Sequence, residues 1–390
     1  MIFNKGKVCE FIEFNPKETL KKNKKYRKIA MENITPKYKF IEKYNYEEYK
    51  GGSKFKNRDT IFARITPCLE NGKIAYINCL EDNELAFGST EYIVLRAIEN
   101  KTIPEFVYYY SISDYFKNKA ISLMTGTSGR QRVQTDALKE LEVKIPNIPE
   151  QEKIVKVLSN IDRKIKLNNE TNNNLYKLAI KYLKEMQSDD EVALSTFGKI
   201  QGGYAFKSKD FLDTKTNNRI IKIKNLRNEI SADVVNSQFV EDEVIEKLDN
   251  KFKIQRGNVA IAMTGAELGK TGFIYGFDNY YLNQRVGLVR GITREKELYL
   301  NILLLSQEFQ DLLNSKGYGS AQPNVSTTDI ENILIQNVED ENLVKFYETV
   351  SPIYAKIILN CEENLNLEQL RDTLLPKLMN GEIDLDNIEI

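Results

Sequence analysis

Histidine is absent from all 390 residues, and so is tryptophan. Without an imidazole the chain lacks the commonest general base and the commonest metal ligand, which excludes most histidine-dependent enzyme mechanisms. Only four cysteines occur, Cys9, Cys68, Cys79 and Cys361, with neither CxxC nor zinc-ligand spacing. A chain this long with so few does not depend on bridges, and it reads as reduced and cytoplasmic. No apolar run approaches the roughly 20 residues that span a bilayer, and the opening MIFNKGKVCEFIEF has no apolar core of signal-peptide length, so no membrane association is expected. Net charge is missing too, with 56 Lys+Arg against 56 Asp+Glu.

That zero is a sum of opposites. Residues 1–187 hold 34 basic and 24 acidic side chains, whereas residues 188–390 hold 22 and 32. Basic excess in the first half fits a polyanionic partner, and the acidic second half requires help from elsewhere if it meets the same partner. Nothing in the composition suggests disorder, and the length suits two or three domains, each with its own core.

What is present is a long periodic helix that arrives twice. PEQEKIVKVLSNIDRKI opens with proline and acids in the first turn, where proline's fixed φ is tolerated and carboxylates favour the positive dipole end. Its apolar seam runs Ile154, Leu158, Ile161, Ile165, then in phase through Asn168, Asn172, Leu175, Ala179, Tyr182 and Met186, alternating steps of four and three. Residues 341–380 give a second series, Leu343, Phe346, Val350, Ile353, Ile357, Asn360, Asn364 and Leu367, in which Pro352 is expected to kink or restart the helix with Ser351 as its cap. The segments ahead of the helices echo each other: RDTIFARIT with RGNVAIAMT, FGSTEYIVLR with YLNQRVGLVR, and GTSGRQRV with GYGSAQPNV. A period near 190 is too long for a solenoid and marks a duplicated domain-plus-helix unit. The expected fold is α+β, with two pseudo-repeated mixed α/β domains, 1–149 and 188–340, two long antiparallel coiled-coil helices, 150–187 and 341–380, and a tail, 381–390. A helix of that length is about 57 Å long at 1.5 Å per residue, which makes the helices a spacer with one domain at each end. Asn168, Asn172, Asn360 and Asn364 fall where antiparallel partners meet, and polar seam residues of this kind fix register.

Several motifs dissolve on inspection. TGAELGKTG imitates a phosphate loop, but three residues separate Gly265 from Gly269 where four are needed, and a strand-like run follows instead of a helix, so a hairpin is expected. Acidic pairs such as Glu47-Glu48 and Glu81-Asp82 have no nucleophile or metal ligand beside them and read as solvated surface. No constellation carries a reaction. Groups suited to phosphate are Lys24, Lys25 and Arg27 in KKNKKYRK, then Lys54, Lys56, Arg58, Arg64 and Lys73 around a predicted hairpin, with Lys207 and Lys270 in the second half. Groups suited to base edges are Ser128, Arg130, Gln131 and Arg132 in GTSGRQRV, Asn283, Gln284 and Arg285 in LNQRV, and Ser320, Gln322 and Asn324 in the counterpart loop. For any one of them a capping or loop-anchoring hydrogen bond is the commoner role.

The order SKFKNRDTIFARITPCLENGKIA, FGSTEYIVLR, TGTSGRQRV into IPNIPEQEKIVKVLSNID, then GGYAFKSKDF, RGNVAIAMTG, YLNQRV and LPKLMNGEIDL resembles the specificity subunits of type I restriction-modification systems over essentially the whole chain. The resemblance implies a non-catalytic double-stranded-DNA reader with two target recognition domains, one per half of a split, asymmetric target. It also implies two methyltransferase subunits, which use S-adenosylmethionine to methylate an adenine flipped out of each half, and two restriction subunits that supply ATP- and Mg-dependent translocation and cleavage. Two other readings fit the same residues: a specificity subunit serving methylation alone, and a coiled-coil scaffold whose end domains bind proteins.

Overall fold

In the computed structural model, residues 2–127, 129–227, 229–276, 278–316 and 324–383 are described. The chain forms two units, Met1–Lys164 with Leu367–Ile390, and Ile165–Asn366, so each takes part of both long helices.

In the first unit the central sheet is antiparallel, in the order Ile12–Phe14, Tyr92–Ala97, Thr60–Ala63, Ile74–Tyr76. Its strands are apolar at successive positions because both faces are covered. Phe62, Ile74, Ile93 and Leu95 point to a core shared with Phe106, Val107, Tyr108 and Phe116 from two short helices, with Ile154 and Leu158 from the first long helix and with Leu375 and Leu378 from the second. Ile61, Ala75, Tyr92 and Val94 face the other way, onto Ile29, Ile34, Phe55 and Ala86. Ile29, Phe55 and Ala86 belong to a second sheet ordered Asn45–Glu48, Lys25–Ile29, Leu85–Gly88, Lys54–Lys56, with one parallel pair at its centre.

The second unit repeats this plan. Its antiparallel sheet is ordered Gly198–Gly202, Val286–Gly291, Val259–Ala262, Thr271–Phe273. Its second sheet again has a parallel pair, Asn218–Ile221 on Asn279–Leu282, flanked by Gln238–Val240 and Lys253–Ile254, with Phe211–Leu212 added at the edge. Alternation is the same: Val259 and Ile261 face the helices, Ala260 and Ala262 the second sheet. The TGAELGKTG segment is the turn of the hairpin joining Val259–Ala262 to Thr271–Phe273, with Lys270 ion-paired to Glu267.

The long helices are Ile148–Met186 and Asp340–Asn380. Asn147 caps the first, its side chain accepting from Glu150 N at 3.2 Å. The second runs through Pro352 without a break, so of the expected kink or restart the restart does not occur. Pro352 and Glu348 both lie on the exposed face, so the carbonyl that proline leaves without a partner is open to water. Within the second unit the helices run antiparallel, since Asn168 meets Asn364 while Asn172 meets Asn360.

Candidate nucleic-acid interface

The echoed sequence segments converge at one end of each central sheet. In the first unit Arg64 N donates to Glu91 O at 2.9 Å, Val133 N donates to Arg64 O at 2.9 Å, and Ile65 bridges Arg132. In the second, Met263 N donates to Arg285 O at 3.0 Å, Val325 N donates to Met263 O at 3.0 Å, and Thr264 bridges Asn324. One backbone frame therefore occurs twice and carries different side chains.

On the first frame Arg132 grips the Glu91 carboxylate, through Nε at 2.9 Å and Nη2 at 2.7 Å, and Arg64 Nε stands 3.8 Å from the same carboxylate. The Arg132 hydrogen bonds, with the charges of Arg132 and Arg64, hold the Glu91 carboxyl below the usual carboxylate range. A lowered carboxyl stabilises above its unfolded pKa, so the clamp persists at neutral pH and is lost only as acid brings the pH down through the folded value. Gln131 is fixed by backbone, its N donating to Thr66 Oγ1 at 3.0 Å and its carbonyl accepting from Thr66 N at 3.0 Å. Arg130 is exposed. On the second frame Arg285, at φ 67°, donates from Nη1 to Asn324 Oδ1 at 3.3 Å, and Gln284 N donates to both Asn283 Oδ1 at 2.8 Å and Tyr204 O at 2.7 Å. Ser128, Ser320 and Gln322 lie outside the described residues.

The remaining basic candidates do not gather here, and several are already engaged. Lys54 Nζ donates to Glu18 O at 2.7 Å and Lys73 Nζ to Met31 O at 2.7 Å, and Arg58 hydrogen-bonds the Tyr76 side chain. Arg27 donates to Tyr46 Oη at 2.9 Å, pairs with Glu84 at 3.1 Å and reaches the Cys79 carbonyl. The second unit repeats this tether: Arg219 lies opposite Phe239 across the strand pair, as Arg27 lies opposite Tyr46, and pairs with Asp278 at 2.7 Å. An arginine, a cross-strand aromatic and an acid kept in both repeats mark a scaffold role for Arg27. Lys24, Lys25, Lys56 and Lys207 are exposed.

The four asparagines meet in the second unit. Asn168 Nδ2 donates to Asn364 Oδ1 at 2.9 Å and Glu363 Oε2 at 2.9 Å, Asn360 Nδ2 to Asn172 Oδ1 at 2.8 Å, and Asn364 Nδ2 to Asn169 Oδ1 at 2.8 Å. All four are buried. Sequence reasoning missed a buried polar chain in the first unit, in which Arg371 Nη1 pairs with Asp162 Oδ1 at 2.8 Å, Tyr109 Oη donates to Asp162 Oδ2 at 2.6 Å, and Lys39 Nζ reaches Tyr109 Oη at 3.1 Å and Glu105 at 2.6 Å. It also missed Glu91, since nothing local marks that glutamate as a clamp.

A duplicated α+β unit that offers different hydrogen-bonding groups on one backbone frame defines a tandem recognition protein. The profile of the type I restriction modification DNA specificity domain matches residues 3–177 and 191–369, and the chain belongs to that family. It is 24% identical to the MjaIX type I restriction enzyme specificity subunit of Methanocaldococcus jannaschii, over 73% of this chain and 70% of that one. It is 23% identical to the HindI specificity subunit of Haemophilus influenzae, over 90% and 92%. The solved S subunit of a type I restriction-modification system from M. genitalium shares the fold, with a TM-score of 0.53 at 18% identity, covering 97% of this chain and 96% of that one. Among the described residues no helix is long and apolar enough to cross a membrane.

Proposed function

We propose that each unit reads one half of a split, asymmetric duplex DNA target, and that the long helices pair as an antiparallel coiled coil that sets the gap between the halves. The chain itself is non-catalytic in this reading. Two methyltransferase subunits bring S-adenosylmethionine, and two restriction subunits bring ATP and Mg. The observation that carries the reading is the repeated frame with unlike side chains, Arg64, Glu91 and Arg132 in one unit and Met263, Arg285 and Asn324 in the other. Two unlike half-sites need that arrangement, because arginine suits guanine and asparagine suits adenine in the major groove. The buried asparagines support a fixed spacing, since a slip of one turn sets their amides against apolar seam residues. A pair of like partners is supported by exposed leucines that recur at an offset of 192, Leu167 with Leu359 and Leu178 with Leu370.

The direct test is affinity for duplex DNA as a function of salt. A reader making six to ten phosphate contacts loses about 10³–10⁵ in affinity between roughly 50 and 200 mM salt, whereas a protein-binding scaffold shows no such slope. Exchanging residues 188–340 for another recognition domain should alter one half of the methylated target only, and a change in both halves excludes modular reading.

Glu91→Ala is expected to release Arg64 and Arg132, raise affinity for mixed-sequence DNA and steepen the log–log salt slope by about one to two. Titrations at several salt concentrations read this out, and an unchanged slope means the arginines do not face DNA.

A further inference from the structure

We infer that Tyr204 is a DNA-contacting residue of the second unit, its ring packing against a base of the half-site that Asn283, Gln284 and Arg285 read. This rests on the reading of that loop as a DNA contact. Tyr204 is tied to the loop by backbone: its N donates to Leu282 O at 3.0 Å, its carbonyl accepts from Gln284 N at 2.7 Å, and it bridges Asn283. The residue stays 40% exposed even though its ring stands edge-to-face with two aromatic neighbours, Phe206 at 5.0 Å and Phe252 at 5.5 Å. A tyrosine needed only for the core would be covered. Here the flanking rings hold the side chain while part of it stays open to solvent, so little conformational freedom is lost when a partner packs on it.

Charge makes the same point. Residues 188–340 hold 18 basic and 22 acidic side chains, so this unit cannot rely on net positive charge to hold DNA. An apolar ring at a base edge adds attraction that does not depend on counterion release. Lys207, three residues on and exposed, supplies a local phosphate partner beside it.

The test uses the full-length chain with its methyltransferase subunits, and a duplex carrying the target mapped from methylated adenines in the host DNA, with a scrambled duplex as control. Tyr204→Ala should weaken target binding about ten- to hundred-fold with the salt slope unchanged, and Tyr204→Phe should bind within about threefold of the parent, since apolar contact with a thymine methyl at the base edge needs the ring and not the hydroxyl. Lys207→Ala should instead lower the slope by about one. Tyr204→Leu keeps apolar bulk against Phe206 and Phe252 but has a shorter reach, and should fall between alanine and the parent. Parent-like binding by the alanine and leucine variants, in a protein that prefers the target duplex, overturns the role of Tyr204 and leaves the reading of the loop intact. A parent protein that does not distinguish the two duplexes overturns both.

Discussion

Replacing Arg371 by alanine should lower the stability of the first unit by about 3–5 kcal/mol, because it strands a buried carboxylate. Arg371 and Asp162 are each only 2% exposed, and the Asp162 carboxylate has two partners, the Arg371 guanidinium and the Tyr109 hydroxyl. Without the cation, one neutral hydrogen bond must carry a charge that water cannot reach. Desolvation and mutual attraction largely cancel in the intact pair, so Asp162→Leu with Arg371→Met should return close to the parent value. The comparison of single and double variants therefore separates the pair's net contribution from the cost of breaking it. Denaturant unfolding followed by a probe in each unit checks the site as well. At the observed offset of 192 the equivalents of Asp162 and Arg371 are Tyr354 and Ala179, both buried, with Tyr354 Oη donating to Gly257 O at 2.7 Å. No charge pair exists at those positions, so the second unit's transition should not move. A single variant that costs under about 1 kcal/mol, or a double variant as unstable as the single, removes this account.

How much of this was legible in the chain depends on sequence distance. The long helices were, since the steps from Ile154 to Ile165 and from Leu343 to Ile357 are local periodicities that the fold buries. The duplication was too, because strands covered on both faces keep apolar runs such as TIFA and VAIA recognisable after divergence. The hairpin at Gly265 followed from local spacing and the strand-like run after it. Engagement of the basic side chains was not legible. Lys54 finds the Glu18 carbonyl and Lys73 the Met31 carbonyl, 36 and 42 residues away, so a count of lysines near a hairpin overstated the free charge. Arg371 and Asp162 lie 209 residues apart, and neither sits in a motif. Pro352 does not restart the helix because the carbonyl it leaves without a partner belongs to a turn that faces solvent.

The GGYAFKS segment offers the sharpest contrast, because its two adjacent glycines are unequal. A Cβ on Gly203 would stand 2.0 Å from Asn283 O and 2.5 Å from Asn283 C, both backbone atoms that cannot swing away. A Cβ on Gly202 would meet only Thr327 Cγ2 at 3.7 Å, an ordinary contact. Gly203→Ala must therefore push the segment off the Asn283–Arg285 loop. The hydrogen bonds between Tyr204 N and Leu282 O and between Gln284 N and Tyr204 O are then lost, at a cost to the second unit of about 1–3 kcal/mol, as for overpacking elsewhere. Gly202→Ala should be close to neutral in stability and in DNA reading. The larger expected effect is functional, since the segment that carries Tyr204 parts from the loop that carries Asn283, Gln284 and Arg285. Methylated-adenine mapping in cells carrying Gly203→Ala should show a target degenerate in one half and intact in the other. The first unit keeps its own frame of Arg64, Glu91 and Val133. A sharp two-part target in that variant would mean that the loop does not read DNA, and loss of both halves would mean that the units do not read independently.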